Sequence, residues 1–216
     1  FGFDDEGKVI LKKKPHNVKM NIPHKRSPQG FPKTRFALLD TSGSMKDDVN
    51  GGKEIGRKSI IPWGDKSKYH FGVLGFYGLI EYLKQNHLLN PSTISSGNFS
   101  NETILVNGLQ EAKRNILSPQ FGSTKINKNS LEEIFKGTGG LVFTISDGEV
   151  GNWDNIKSDF VRRAKDHVYF HLQIGSESKM SEELKDNGFS VVPIKSAEDL
   201  SQKVIEVTDN VYRRQI

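Results

Sequence analysis

Two short runs constrain this chain more than anything else in it. Phe36–Leu39 is apolar throughout and meets Asp40; Leu141–Ile145 is nearly so and meets Ser146 and Asp147. A strand with one wet face alternates apolar and polar residues, so a run that is apolar on both faces predicts a strand covered on both sides, as at the centre of a parallel sheet. Val168–Ile174 predicts a third strand, with Val168, Phe170, Leu172 and Ile174 on one face. Ser190–Lys195 predicts a fourth, which Pro193 assigns to a sheet edge because it has no N–H to give. Helical stripes lie between and after them: Trp153, Ile156, Phe160, Val161 and Ala164, then Leu200, Val204, Val207 and Val211. Another helix is predicted over about 68–88, where Gly72, Gly75 and Gly78 share a face that lets a second backbone approach closely. The segment 92–105 reads as a hairpin-like strand pair. Strands alternating with helices of this length give an α/β fold, its sheet mostly parallel with helices on both faces.

The glycines do not make a nucleotide site. A dinucleotide fingerprint follows a strand and opens a helix, which Gly72, Gly75 and Gly78 do not. Gly137, Gly139 and Gly140 precede a strand and read as the end of a helix. Around Gly51-Gly52-Lys53 a P-loop fails twice, with Asp47 in place of its first glycine and Glu54 in place of the magnesium-holding hydroxyl.

At 216 residues, with 34% hydrophobic and 26% charged residues, the chain is expected to form one globular domain. No apolar run approaches the roughly 20 residues that span a bilayer. The absence of cysteine excludes disulfides, thiolate metal sites and cysteine nucleophiles, and with them any sign of an oxidising compartment. The expectation is a cytoplasmic protein. Asn98-Phe99-Ser100 and Asn101-Glu102-Thr103 match the glycosylation pattern, but with no signal peptide in view both read as chance. An opening at Phe1 suggests a processed piece of a longer chain.

The net charge of +5 is unevenly spread. Lys12, Lys13, Lys14, Lys19, Lys25 and Arg26 fall in a stretch with no acid between Gly7 and Phe36, so residues 1–33 read as a basic N-terminal arm. Pro15, Pro23, Pro28 and Pro32 keep it extended, and a solvated lead-in is the reading preferred over phosphate contact. It lacks the interleaved aromatic residues that stack on single-stranded bases. Residues 46–68, polar and glycine-rich, read as a loop insertion beside the end of the first central strand, where open α/β sheets place their ligands.

The chemistry concentrates at the strand ends. Asp40, Ser42 and Ser44 alternate past the first strand, so their side chains lean towards one point while Gly43 lets the backbone bend. A carboxylate and two hydroxyls are hard oxygen donors suited to Mg²⁺, Mn²⁺ or Ca²⁺ and not to zinc or copper. The plainer alternative is a helix cap. The second run ends in Ser146-Asp147-Gly148-Glu149, and if the two strands are neighbours, Asp40 and Asp147 lie one strand apart. Carboxylates that close repel unless a cation or a proton sits between them.

Asp40-Thr41-Ser42-Gly43-Ser44, a later threonine in Phe121-Gly122-Ser123-Thr124, and Ser146-Asp147-Gly148 together resemble the metal-ion-dependent adhesion site of von Willebrand factor type A domains. The resemblance covers about 34–214 and assigns residues 34–216 to one such domain. It implies a doubly wound, Rossmann-like sheet. It also implies hydroxyl ligation of Mg²⁺ or Mn²⁺, with Ca²⁺ ranked behind them, by Ser42, Ser44 and Thr124, while Asp40 and Asp147 act largely through bound waters. The open coordination position would take an Asp or Glu of a protein partner, with an AAA+ ATPase or another larger complex as a candidate setting. Glu149 and the 46–68 loop would line the same surface, and the 200–211 stripe is compatible with a last helix that shifts but equally with plain packing, which is the preferred reading.

The rival readings are an enzyme, a nucleic-acid-associated domain and a degenerate, purely structural domain, the last opposed by the five intact ligand positions. A phosphoryl-accepting enzyme needs a second Asp where Ser42 stands, and a serine hydrolase needs a Gly-x-Ser-x-Gly elbow that neither Ser42 nor Ser44 has. His70, His87, His167 and His171 show no triad pattern, and His171 reads as a strand-face residue. A Mg²⁺-dependent hydrolase remains as an alternative without a general base. A nucleic-acid-associated domain using the basic arm, as in the Ku and Ro families, is the other. The preferred expectation is a metal-dependent protein-interaction module and not an enzyme.

Overall fold

The structure, a computed structural model, describes residues 2–3, 9–10, 35–52, 60–196, 202–203 and 206. Strands β1 (Gly2–Phe3) and β2 (Val9–Ile10) form a two-stranded antiparallel ribbon. The basic residues of the arm, and Leu200, Val204, Val207 and Val211 of the last stripe, lie outside the described residues.

The domain is built on a six-stranded sheet. In chain order its strands are β3 (Arg35–Asp40), β4 (Ile94–Phe99), β5 (Thr103–Asn107), β6 (Leu141–Ser146), β7 (Val168–Ile174) and β8 (Ser190–Ile194). In space they run β5-β4-β3-β6-β7-β8, parallel throughout except where β5 pairs antiparallel with β4. This is the doubly wound, mostly parallel arrangement. Pro193 sits on β8, an edge strand, as its missing N–H requires.

The apolar runs explain the layers. On β3, Ala37 and Leu39 face one side, packed under α1 (Lys68–Gln85) and α2 (Leu109–Ile116) together with Phe143, Ile145, Phe170 and Leu172. Phe36 and Leu38 face the other side, with Val142 and Tyr169, under α3 (Leu131–Ile134), α4 (Trp153–Ala164) and α5 (Lys179–Asp186). Of the α4 stripe, Trp153, Ile156, Phe160 and Ala164 are buried, and Val161 packs at the margin. Gly72 is where α1 meets the sheet: a Cβ there would lie 2.5 Å from Leu39 Cδ1.

Segment 92–105 is a hairpin, as expected, but β4 is an interior strand with an unusually polar sequence. Ser95, Ser96 and Asn98 are all buried. Their hydrogen bonds go sideways and upward: Ser95 Oγ donates to Asn107 Oδ1 (2.7 Å), Ser96 Oγ to Ala112 O (3.3 Å), and Asn98 Nδ2 to Asn115 O and to Ser118 O (3.2 Å). Helix α2 thus takes up the Ser96 hydroxyl and one Asn98 amide N–H beneath it, while the buried Asn98 Oδ1 has no partner among the described residues. Both α2 and α5 are eight residues long, and no expectation had been attached to either.

The described ends of the 46–68 segment, residues 46–52 and 60–68, are stitched together. Val49 N–H donates to Lys66 O (3.1 Å) and Lys68 N–H to Asp47 O (2.9 Å), and Ser67 caps α1 by accepting from His70 N–H at 3.1 Å. No helix among the described residues is long and apolar enough to cross a membrane.

Candidate metal centre

Strand order reverses at β3. The chain steps outward from β3 to β4 and β5, then returns to β3's other side for β6, β7 and β8. The carboxyl ends of β3 and β6 therefore border the crevice where open α/β sheets bind ligands. Asp40 is the last residue of β3, and Asp147 follows the last residue of β6.

Asp40 is completely buried. Its Oδ1 accepts the Ser42 backbone N–H at 2.8 Å, and its Oδ2 accepts the Ser146 hydroxyl at 2.6 Å. Ser146 Oγ in turn accepts the Gly148 N–H at 2.8 Å, tying the two strand-end loops together. Burial first, and then the negative charge of Asp147, raise the Asp40 pKa from 3.8 to about 6, against the opposing pull of the Ser146 and Ser42 hydrogen bonds.

Ser42 occupies the cap position of a 3-10 turn, Gly43–Lys46, yet its hydroxyl caps nothing. It lies 3.1 Å from Ser44 Oγ instead. The capping alternative therefore fails for the serine, and it is the Asp40 carboxylate that takes up a backbone N–H here.

Thr124 reaches the site through its backbone neighbours. Gly43 N–H donates to Gly122 O (2.8 Å) and Phe121 N–H to Thr41 O (2.6 Å), which lays the 121–124 loop beside the serines. On its outer side Ser100 Oγ donates to Ser123 O (2.8 Å) and accepts from Gly122 N–H (2.9 Å), while Asn101 Oδ1 accepts from Ser123 N–H (2.9 Å). Asn101 also fills the space where a Gly122 side chain would go. Thr124 O accepts the Gly151 N–H at 2.8 Å, linking this loop to the one that carries Asp147. Asp40, Ser42 and Ser44 are thus joined directly and Asp147 through Ser146 and Gly148; the Thr124 hydroxyl makes no hydrogen bond to the other four.

Asp147 is 5% exposed, and its Oδ2 is held by Lys68 Nζ at 3.0 Å. Beneath it lies a buried polar row on β7. Gln173 Nε2 donates to Asp147 O (2.6 Å) and Ser176 O (2.7 Å), which leaves its Oε1 to accept from Ser178 Oγ (3.1 Å) and His171 Nε2 (2.9 Å). His171 therefore carries its proton on Nε2, and burial depresses its pKa from 6.5 to about 4, so it stays neutral. Gly148 adopts φ +78°, and Ser178 Oγ occupies the space a side chain would need there. Gln173 and Ser178 thus position the Asp147 loop. Glu149 is exposed and, with Val49, Asn50, Gly51, Lys68 and Asp147, lines a cleft of about 1160 Å³, so it and the 46–68 loop do share one surface.

The donor set fits a hard divalent cation. It offers two carboxylates and three hydroxyls, all of them hard oxygen donors. Adjacent ligands of an octahedron with bonds of 2.0–2.1 Å stand about 2.9 Å apart, close to the 3.1 Å between Ser42 Oγ and Ser44 Oγ. Sequence reasoning gave no role at the site to Ser146, although it quoted that residue in the motif, nor to Lys68, Ser100, Asn101 or Gln173.

Among solved structures, the chain is similar to a von Willebrand factor type A protein from Catenulispora acidiphila, with a TM-score of 0.56, 13% identity, 84% of this chain covered and 43% of that one. It is similar to the PilB minor pilin from Streptococcus sanguinis, with a TM-score of 0.55, 11% identity, and 87% and 63% covered. It also matches the pilus adhesin SpaC from Lactobacillus rhamnosus GG, with a TM-score of 0.54, 14% identity, and 86% and 31% covered. The chain thus spans less than two thirds of the length of each of these proteins. No protein-family model and no curated protein sequence matches it. What it shares with these structures, together with strand order and switch point, is the architecture: this chain has a von Willebrand factor A-like fold.

Proposed function

We propose that Asp40, Ser42, Ser44, Thr124 and Asp147 hold Mg²⁺ or Mn²⁺, and that the chain is a protein-interaction module, not an enzyme, whose partner supplies an Asp or Glu. The observation that carries this reading is the pair of buried carboxylates at the ends of adjacent strands, with Asp40 raised to about 6 partly by the charge of Asp147. A bound divalent cation would balance that charge and offer a coordination position to an incoming carboxylate. Ser42 and Ser44 contribute neutral oxygens, which leave the positive charge less quenched than carboxylate ligands would. Asp40, fixed by Ser42 N–H and Ser146 Oγ, keeps the serine turn in register with the β6 end. Glu149 stands at the rim, where its charge would disfavour an acidic group that approaches off axis. The likeness to structures that include a pilus adhesin supports an interaction role at the level of fold.

The test uses Mn²⁺ as a paramagnetic probe and a short Asp-containing peptide beside its Asn counterpart. The expected result is that the Asp peptide lowers the water relaxation enhancement of the Mn²⁺-loaded protein by displacing a bound water, while the Asn peptide does not. Equal behaviour of the two peptides would end the carboxylate reading.

A further inference from the structure

Lys68 is an odd residue for its position. It is the first residue of α1, where the helix dipole disfavours a cation, and the first turn of α1 contains no acid. Its ammonium instead reaches across to Asp147 Oδ2 at 3.0 Å, with only 18% of the lysine side chain and 3% of the aspartate exposed. The lysine stem passes Gly175, where a Cβ would lie 3.8 Å from Cε. The backbone of the same residue is wired to the serine turn: Lys68 N–H donates to Asp47 O (2.9 Å), and Asp47 N–H donates to Ser44 O (3.1 Å).

We infer that Lys68 is a built-in counter-cation that competes with the divalent ion for Asp147, so that it sets the metal affinity and holds the metal-free site together. The inference rests on the metal reading above. Two carboxylates share this end of the sheet, and the lysine neutralises one of them. An ion entering the site brings positive charge beside an ammonium already in place, so one must weaken the hold of the other. Competition for one carboxylate is reciprocal: whatever the lysine subtracts from metal binding, the metal subtracts from the lysine's ion pair. Because Lys68 and Ser44 are joined through Asp47, its release is transmitted to the loop that starts at Asp47 and lines the cleft. A purely structural salt bridge would also be lost on substitution, with a cost in stability, but it would not oppose the metal.

Calorimetric Mn²⁺ titrations of the wild type, Lys68→Met, Lys68→Arg and Asp40→Asn separate these cases. Lys68→Met should melt lower in EDTA yet bind Mn²⁺ about tenfold tighter or more, since a nearly buried ion pair strongly influences its partner's charge. Lys68→Arg should keep the wild-type affinity, and Asp40→Asn should bind weakly or not at all. In the wild type, amine labelling of Lys68 followed by mass spectrometry should be slow in EDTA and several-fold faster with saturating Mg²⁺, a readout that needs no variant to fold. Equal Mn²⁺ affinities in wild type and Lys68→Met, or labelling indifferent to Mg²⁺, would overturn the inference and leave the metal site standing. No Mn²⁺ binding by either protein would overturn both.

Discussion

Asp40 carries a charge where a charge is least comfortable, fully buried and facing Asp147. Its pKa of about 6 lies above the ordinary 3.8, so the folded protein binds that proton more tightly than the unfolded chain does. The sign follows directly: the stabilising proton is fully in place below pH about 4 and is lost as pH rises through about 6. In EDTA, this one group should make the wild type less stable at pH 7 than at pH 4 by an amount on the order of 3 kcal/mol. Asp40→Asn should lack that term. Urea unfolding of both proteins between pH 4 and 8 isolates it, and a constant difference across the window would contradict the assignment. The residue scale is also where the sequence was most readable. Asp40, Ser42, Ser44 and Asp147 could be singled out as candidates because each lies within a few residues of a recognisable strand end. Ser146 and Lys68 could not be given roles, since their partners, Asp40 and Asp147, stand 106 and 79 positions away along the chain.

At the scale of elements, burial decided what could be read. β3, β6 and β7 were legible because their apolar residues face helices on both sides. β4 was not, because Ser95, Ser96 and Asn98 are polar residues in a dry strand whose partners come largely from α2. Short helices such as α2 and α5 offer only two turns of periodicity, too few to stand out. The α1 glycines read as a face for the close approach of a backbone; at Gly72 it is instead the Leu39 side chain that comes close, with Cδ1 2.5 Å from where a Cβ would be. Gly72→Ala should therefore cost about 1–3 kcal/mol by overpacking, more than its gain in helix propensity of about 1 kcal/mol. Chemical denaturation would check this; an unchanged or higher midpoint would show that α1 can shift away from the sheet at no cost.

For the whole molecule, the doubly wound topology accounts for the site. Reversal of strand order at β3 opens the sheet edge, and three loops then converge there from the ends of β3 and β6 and from residues 121–124. None of these loops could make the centre alone, because Asp40 needs Ser146, the Thr124 loop needs Ser100 and Asn101, and Asp147 needs Gln173. The most direct test of the account is thermal unfolding of the wild type, Ser42→Ala and Asp40→Asn in EDTA, Mg²⁺, Mn²⁺ and Ca²⁺. Ion at about 100 times its dissociation constant stabilises a protein by roughly 2.7 kcal/mol, which at this size is several degrees, at about 2–4 °C per kcal/mol. The account predicts that rise for the wild type with Mg²⁺ and Mn²⁺, a smaller one with Ca²⁺, and little or none in either variant. A wild type whose melting temperature is the same with and without the ions, or variants that rise as far as it does, would contradict it.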